Sequence, residues 1–146
     1  MKEKDMFSYI IDDDISNEDK IRYVYNQLIN GNYKILPDGI AIGKVRKITF
    51  DGNLIEDGYE RGFLYIEKNA GIKEHTHTND IERYNALSGT LSVKNQDTKV
   101  NKCFLNKSHN IDVVTDITIV ETLKITKEKL IKLQKRDNNK IYMLEK

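Results

Sequence analysis

Apolar residues change their period twice along the chain. Between Ile21 and Ile29 they recur at helical spacing, as Ile21, Val24, Tyr25, Leu28 and Ile29. Ser16, Asn17, Glu18 and Asp19 stand just ahead, a capping side chain followed by acids in the first turn. Gly31 and Asn32 supply a stop. This predicts a helix over one flank or end of the fold. From residue 40 the pattern shortens to strands separated by turns. Pro37, Asp38 and Gly39 form a turn, and residues 40–50 read as one strand through Ile40, Ile42, Val45, Ile48 and Phe50. Asp51-Gly52 is a hairpin signal, Leu54 and Ile55 begin a return, and Glu56, Asp57 and Gly58 break it. Residues 63–66 make the next strand. A leg beginning at Glu82 runs out through Tyr84, Leu87, Leu91 and Val93. It turns at Asn95, Gln96 and Asp97 and returns through Val100, Cys103, Phe104 and Leu105. A turn at Asn106, Lys107 and Ser108 then leads to His109. After Ile111, Val113, Val114 and a turn at Asp116, residues 117–123 form a strongly β-branched strand. Thr126 caps a short second helix, with Leu130, Ile131 and Leu133 on one side and lysines elsewhere. Asp137, Asn138 and Asn139 end it, and residues 141–144 form a last strand or cover an edge. Many short strands between turns indicate an all-β sandwich or barrel, with two accessory helices.

Composition narrows the possibilities without naming a function. The chain has 146 residues, the size of one domain, and a net charge of +1. That balance calls for neither nucleic acid nor membrane as a partner. No apolar run approaches the roughly 18 residues of a spanning helix, and the N-terminus has no signal-like apolar stretch, so the expected compartment is the cytoplasm. The single cysteine, Cys103, permits no intramolecular disulfide and reads as a buried small hydrophobe. The acidic run Asp12, Asp13, Asp14 lacks the glycine and the closing glutamate of a calcium loop and reads as a solvated lead-in.

The chemistry concentrates between Gly71 and Gly89, which hold two of the three histidines. On a strand, residues i and i+2 face the same side about 6.6 Å apart, so His75 and His77 can lean onto one cation. A helix would separate them by about 200°. Glu82 is an odd number of residues from His77 and would face away on one unbroken strand. The turn character of Thr78, Asn79 and Asp80 starts a second strand at Ile81 and brings Glu82 back beside the histidines. If the legs from Glu82 and back to His109 match in length, three imidazoles and one carboxylate converge. Two surface histidines on an edge strand are the bland alternative. Tyr84 shares a face with Glu82, as a barrel-filling ring or as a proton donor or substrate anchor.

The pattern His75-x-His77-x4-Glu82-x6-Gly89 resembles the first signature motif of the cupins, and His109 falls where their second motif carries its last histidine. The resemblance spans residues 63–125. The motif's opening glycine is Asn69 here, the usual Pro-x-Gly before the last histidine is Phe104-Leu105-Asn106, and a later asparagine is Val113. The resemblance implies a jelly-roll β-barrel over residues 35–125. Residues 1–34 would be a lead-in and helix packed on it, and residues 126–146 a C-terminal helix and tail. It implies one divalent ion per chain, of Fe, Mn, Ni, Zn, Co or Cu, held by His75, His77, Glu82 and His109. Glu82 and Tyr84 would be the catalytic residues, and a homodimer the expected assembly. Three imidazoles and a carboxylate leave one or two positions open for a small oxygen-rich ligand. Dioxygenase- or isomerase-type chemistry on a small metabolite is the expected function. A non-catalytic, sugar-like binding or sensing module is the alternative.

Overall fold

The computed structural model describes residues 15–50, 59–76, 79–95, 98–99, 102–103 and 108–136. Helix α1 spans Asn17–Ile29 and helix α2 Lys127–Arg136. The strands are β1 (Lys34–Ile35), β2 (Ala41–Ile42), β3 (Val45–Thr49), β4 (Tyr59–Ile66), β5 (Gly71–His75), β6 (Asp80–Ser88), β7 (Val93–Asn95), β8 (Thr98–Lys99), β9 (Lys102–Cys103), β10 (His109–Ile111) and β11 (Thr118–Thr126). They form two antiparallel sheets, ordered β1-β3-β4-β11-β6-β9 and β2-β5-β10-β7-β8.

Alternation along the strands of the six-stranded sheet sends side chains to two different cores. Val45, Leu64, Ile66, Tyr84 and Val120 face inward and pack with Ala41, Ala70, Ile72, Val93 and Ile111. Ile48, Phe63 and Ile119, one residue out of phase with that set, face outward. They pack with Phe50 under Val24 of α1. The central strand β11 is therefore buried on both faces, which suits its run of β-branched residues. Its one acid, Glu121, is 2% exposed on the outer face. There it accepts from Arg61 at 2.9 Å and from Lys20 of α1 at 3.2 Å.

Both helices have the expected starts. The Ser16 side chain accepts from the backbone N–H of Asp19 at 3.1 Å, and Thr126 Oγ1 accepts from that of Lys129 at 3.1 Å. The first helix covers a flank rather than an end. Its buried residues include Lys20 as well as Val24, while Ile29 on the expected apolar stripe is 81% exposed.

Two long strands expected from the sequence are broken. Residues 40–50 split at Gly43 (φ +72°) into β2, paired with β5, and β3, paired with β4 in the other sheet. The leg from Glu82 to Val93 breaks at Gly89 (φ +82°), where the chain leaves one sheet for the other. A Cβ at Gly89 would come 2.5 Å from the Ile117 carbonyl oxygen, so both the left-handed conformation and the close approach call for glycine. Hydrophobic alternation carries no sign of such a break, because both halves bury apolar residues. The Pro37 turn is present, closed by Ile40 N–H donating to the Pro37 carbonyl at 2.9 Å. The 51–58 hairpin connection, the turn at 95–97 beyond Asn95, Val100, Phe104 to Lys107, the acidic run at 12–14 and residues 137–146 lie outside the described residues.

Candidate metal centre

His75 closes β5, and its partner across the ladder is His109, which opens β10. The two imidazole centroids are 4.2 Å apart with the ring planes at 64°. Glu82 arrives from the other sheet, near the start of β6. Its Oε1 lies 3.3 Å from His109 Nε2. Strand β5 ends at His75 and β6 begins at Asp80 in the opposite sheet, so the break resets the side-chain alternation. This is how an acid at odd spacing comes to face the histidines. One ligand atom from each of His75, Glu82 and His109 lies within 4.8 Å of the other two. His77 lies outside the described residues.

The surroundings orient these groups. His75 Nδ1 donates to the Lys73 carbonyl at 2.9 Å, which leaves Nε2 with its lone pair. Ser108 donates to Glu74, tying the residue before His109 to the residue before His75. On the far side of β10, Asp112 accepts from Ser92 at 2.9 Å and from Asn110 at 2.9 Å. His109 is 1% exposed and Glu82 9%. A carboxylate only accepts, so the buried His109 nitrogen beside it either donates its own proton to Glu82 or turns a lone pair toward a cation that the two can share.

The donor set suits a cation. Two ligands each about 2.1 Å from a metal stand about 3.0 Å apart at a right angle and about 4.2 Å apart when opposite. The 3.3 Å separation and the 4.8 Å limit lie near that window. Two imidazoles with a carboxylate match the preferences of Fe, Mn, Ni, Co, Zn or Cu. The His75, Glu82 and His109 cluster fits a metal site.

Beside it opens a cavity of about 290 Å³. His75, Glu82 and Tyr84 line it, with Leu36, Leu64 and Ile72 on its apolar side. Tyr84 is 2% exposed, and its ring centroid is 5.9 Å from that of His109. Cys103 stands opposite Glu82 in the β6–β9 ladder.

No protein-family model and no curated protein sequence matches the chain. Solved structures do. A predicted oxalate decarboxylase of Thermotoga maritima superposes with a TM-score of 0.54 at 15% identity, over 65% of this chain and 92% of that one. A cupin-like protein of the same organism gives 0.52 at 12% identity, over 66% and 79%. The cupin domain of Schizosaccharomyces pombe Cnp3 gives 0.51 at 10% identity, over 62% and 66%. This chain has a cupin fold.

Within the cupin fold, the cavity is lined by charged residues that sequence reasoning missed, Lys73 and Glu74 on β5 and three more on the six-stranded sheet. The three are Lys47, Glu60 and Lys124. Each lies two or four positions along its strand from an inward-facing apolar residue: Val45, Leu64 and Val120 respectively. That alternation was the available signal. A charge in phase with a core-facing position marks a polar wall inside a barrel. Among the described residues, no helix is long and apolar enough to cross a membrane.

Proposed function

We propose that this cupin binds one divalent metal ion through His75, His77, Glu82 and His109. In this reading it acts on a small oxygen-rich metabolite by dioxygenase- or isomerase-type chemistry. The observation that carries the reading is the meeting of His75, Glu82 and His109 from two sheets, with His75 and Glu82 on the wall of a cavity. A bound ion would supply Lewis-acid polarisation of an oxygen ligand, and redox chemistry where the element allows it.

The chain's own groups do the rest. The Lys73 carbonyl holds His75 in the tautomer whose Nε2 is available as a donor. The Glu82 carboxylate, as part of the cluster, is also placed to take a proton from substrate in the cavity. Tyr84 lies two residues along the same face, and its Oη can donate to a substrate oxygen or anchor it. Leu36, Leu64 and Ile72 exclude water from one side and favour a ligand with some apolar surface.

Elemental analysis by plasma mass spectrometry tests the reading, on wild type and on the His75→Ala/His77→Ala double variant, both purified without a polyhistidine tag. Near-stoichiometric metal in wild type, lost in the variant, is the expected result. Wild type that takes up no metal after reconstitution with divalent ions would remove the metalloprotein reading. Dioxygen uptake and isomerisation assays on the loaded protein then separate catalysis from ligand binding alone.

A further inference from the structure

The cavity has a charged end away from the imidazoles. Lys47 on β3, Glu60 on β4 and Lys124 on β11 meet there from three strands, and all three line the cavity. Glu60 Oε1 lies 3.5 Å from Lys124 Nζ and 3.8 Å from Lys47 Nζ. Lys124 is the ladder partner of both Glu60 and Glu82, so it stands between the acid of this trio and the acid of the metal cluster. Neighbouring strands are about 4.8 Å apart, which places the ammonium groups within a small molecule's length of the cluster.

Two features set this trio apart from a structural ion pair. It holds two cations against one anion, so its own charge is positive, in a cavity whose remaining charged lining, Lys73, Glu74 and Glu82, lies on β5 and β6. Its contacts are also weak. The side chains are 31% to 54% exposed and the separations are long, so each link is worth little in water. A carboxylate entering the cavity can replace the Glu60 carboxylate at both ammonium groups at small cost. It would gain two charge-assisted hydrogen bonds in a partly desolvated place.

From this geometry we infer that Lys47 and Lys124 form a carboxylate-recognition end of the cavity, with Glu60 as the resident anion that a ligand displaces. The ligand class is a small carboxylic acid whose anionic end meets the two lysines while its other end faces His75, Glu82 and Tyr84. This refines the proposed function by naming the substrate class, and it rests on this cavity being the ligand site.

Calorimetric titration tests it on the full chain, as purified and after removal of metal with chelator. The probes are propionate and malonate, the matching amides propionamide and malonamide, and inorganic phosphate. The acids should bind about tenfold or more tightly than the amides in both preparations. Lys47→Met and Lys124→Met keep the aliphatic stems of partly exposed side chains. Each should weaken acid binding by about tenfold and leave amide binding unchanged. Glu60→Gln should strengthen acid binding by about threefold or more, because the competing anion is gone. A structural role for the trio would not produce that gain. Acids binding no better than amides, lysine variants that leave acid binding intact, or phosphate binding more tightly than every acid would each overturn the inference. So would the lack of saturable acid binding up to roughly 10 mM. Acid preference in a chain that takes up no metal would remove the metal reading and keep this one. Metal uptake without acid preference would do the reverse.

Discussion

Two buried glutamates stand on neighbouring strands of the six-stranded sheet, Glu82 on β6 facing inward and Glu121 on β11 facing outward. They are exposed by 9% and 2%. Their neighbours differ in kind. Glu121 accepts from Arg61, Lys20 and Asn85, all groups that can only donate to it. Burial alone would raise its pKa, but the Arg61 hydrogen bond and the Lys20 charge hold it below the ordinary value of 4.5. Glu82 instead faces His109 and His75, each of which when neutral keeps one nitrogen lone pair, and the three together could hold a metal ion. The outer carboxylate is answered by the chain's own fixed cations and clamps α1 to the sheet. The inner one is surrounded by groups that can share a cation from outside. Burial of a charge thus says little about its role until its neighbours are identified.

The largest expected effect breaks the outer clamp. Glu121→Ala removes the carboxylate that Lys20 and Arg61 share, with both cations still buried. Loss of one partner from a buried pair costs about 3–5 kcal/mol. Urea unfolding should show that loss, whereas Glu82→Ala in metal-free protein should cost distinctly less. Equal losses would erase the distinction between the two sites.

Next comes the metal. An ion present at about 100 times its dissociation constant stabilises the folded chain by about 2.7 kcal/mol. Wild type and Glu121→Gln should both lose that increment on adding chelator, while Glu82→Ala and His109→Ala have no increment to lose. Melting curves with and without chelator read this directly. A chelator effect that survives in Glu82→Ala would place the ion elsewhere.

Acid sharpens the comparison from the outer side. The folded pKa of Glu121 lies below its unfolded value, so the unfolded chain takes up the proton first as pH falls. Its contribution to stability is complete above the unfolded value of about 4.5 and is lost as pH drops through the lower folded value. Glu121→Gln should therefore be less stable than wild type near neutral pH, and the gap should narrow below about pH 4.5. Urea midpoints for both proteins across that range test it. A gap that stays constant would mean that Glu121 is not ionised in the fold.

Much of this arrangement was legible in the sequence, for local reasons. The helix starts at Ser16 and Thr126 follow from side chains that cap the backbone beside them. The sequence expected His75, His77, Glu82 and His109 to converge; the turn before Ile81 accounts for Glu82 reaching His75 and His109, while His77 lies outside the described residues. Sheet switching at Gly43 and Gly89 was not legible, because a glycine in a strand pattern does not say which sheet its next strand will join. Lys20, Arg61 and Glu121 were also missed. They lie on elements far apart in sequence, and each alone looks like a solvated charge. Only the crossing of α1 over β4 and β11 shows that they are buried together.

The smallest effect concerns the link between the two sheets. Asn69 has φ +72°, in the left-handed region that favours glycine. Asparagine tolerates the left-handed region better than other residues with a Cβ. The position lies between β4 of one sheet and β5 of the other, and Asn69 N–H donates to the Val114 carbonyl at 2.9 Å. Asn69→Ala should destabilise the fold by about 1 kcal/mol, and Asn69→Gly should stay within a few tenths of wild type. Because β5 carries His75, metal affinity reports whether the strain reaches the inner site. If Asn69→Ala lowers stability and leaves metal affinity unchanged, the β5–β10 ladder and the Ser108–Glu74 contact are enough to hold the histidines. If both fall together, the geometry of the inner carboxylate's partners depends on this turn. The outer clamp, carried entirely on α1, β4, β6 and β11, should be indifferent to it.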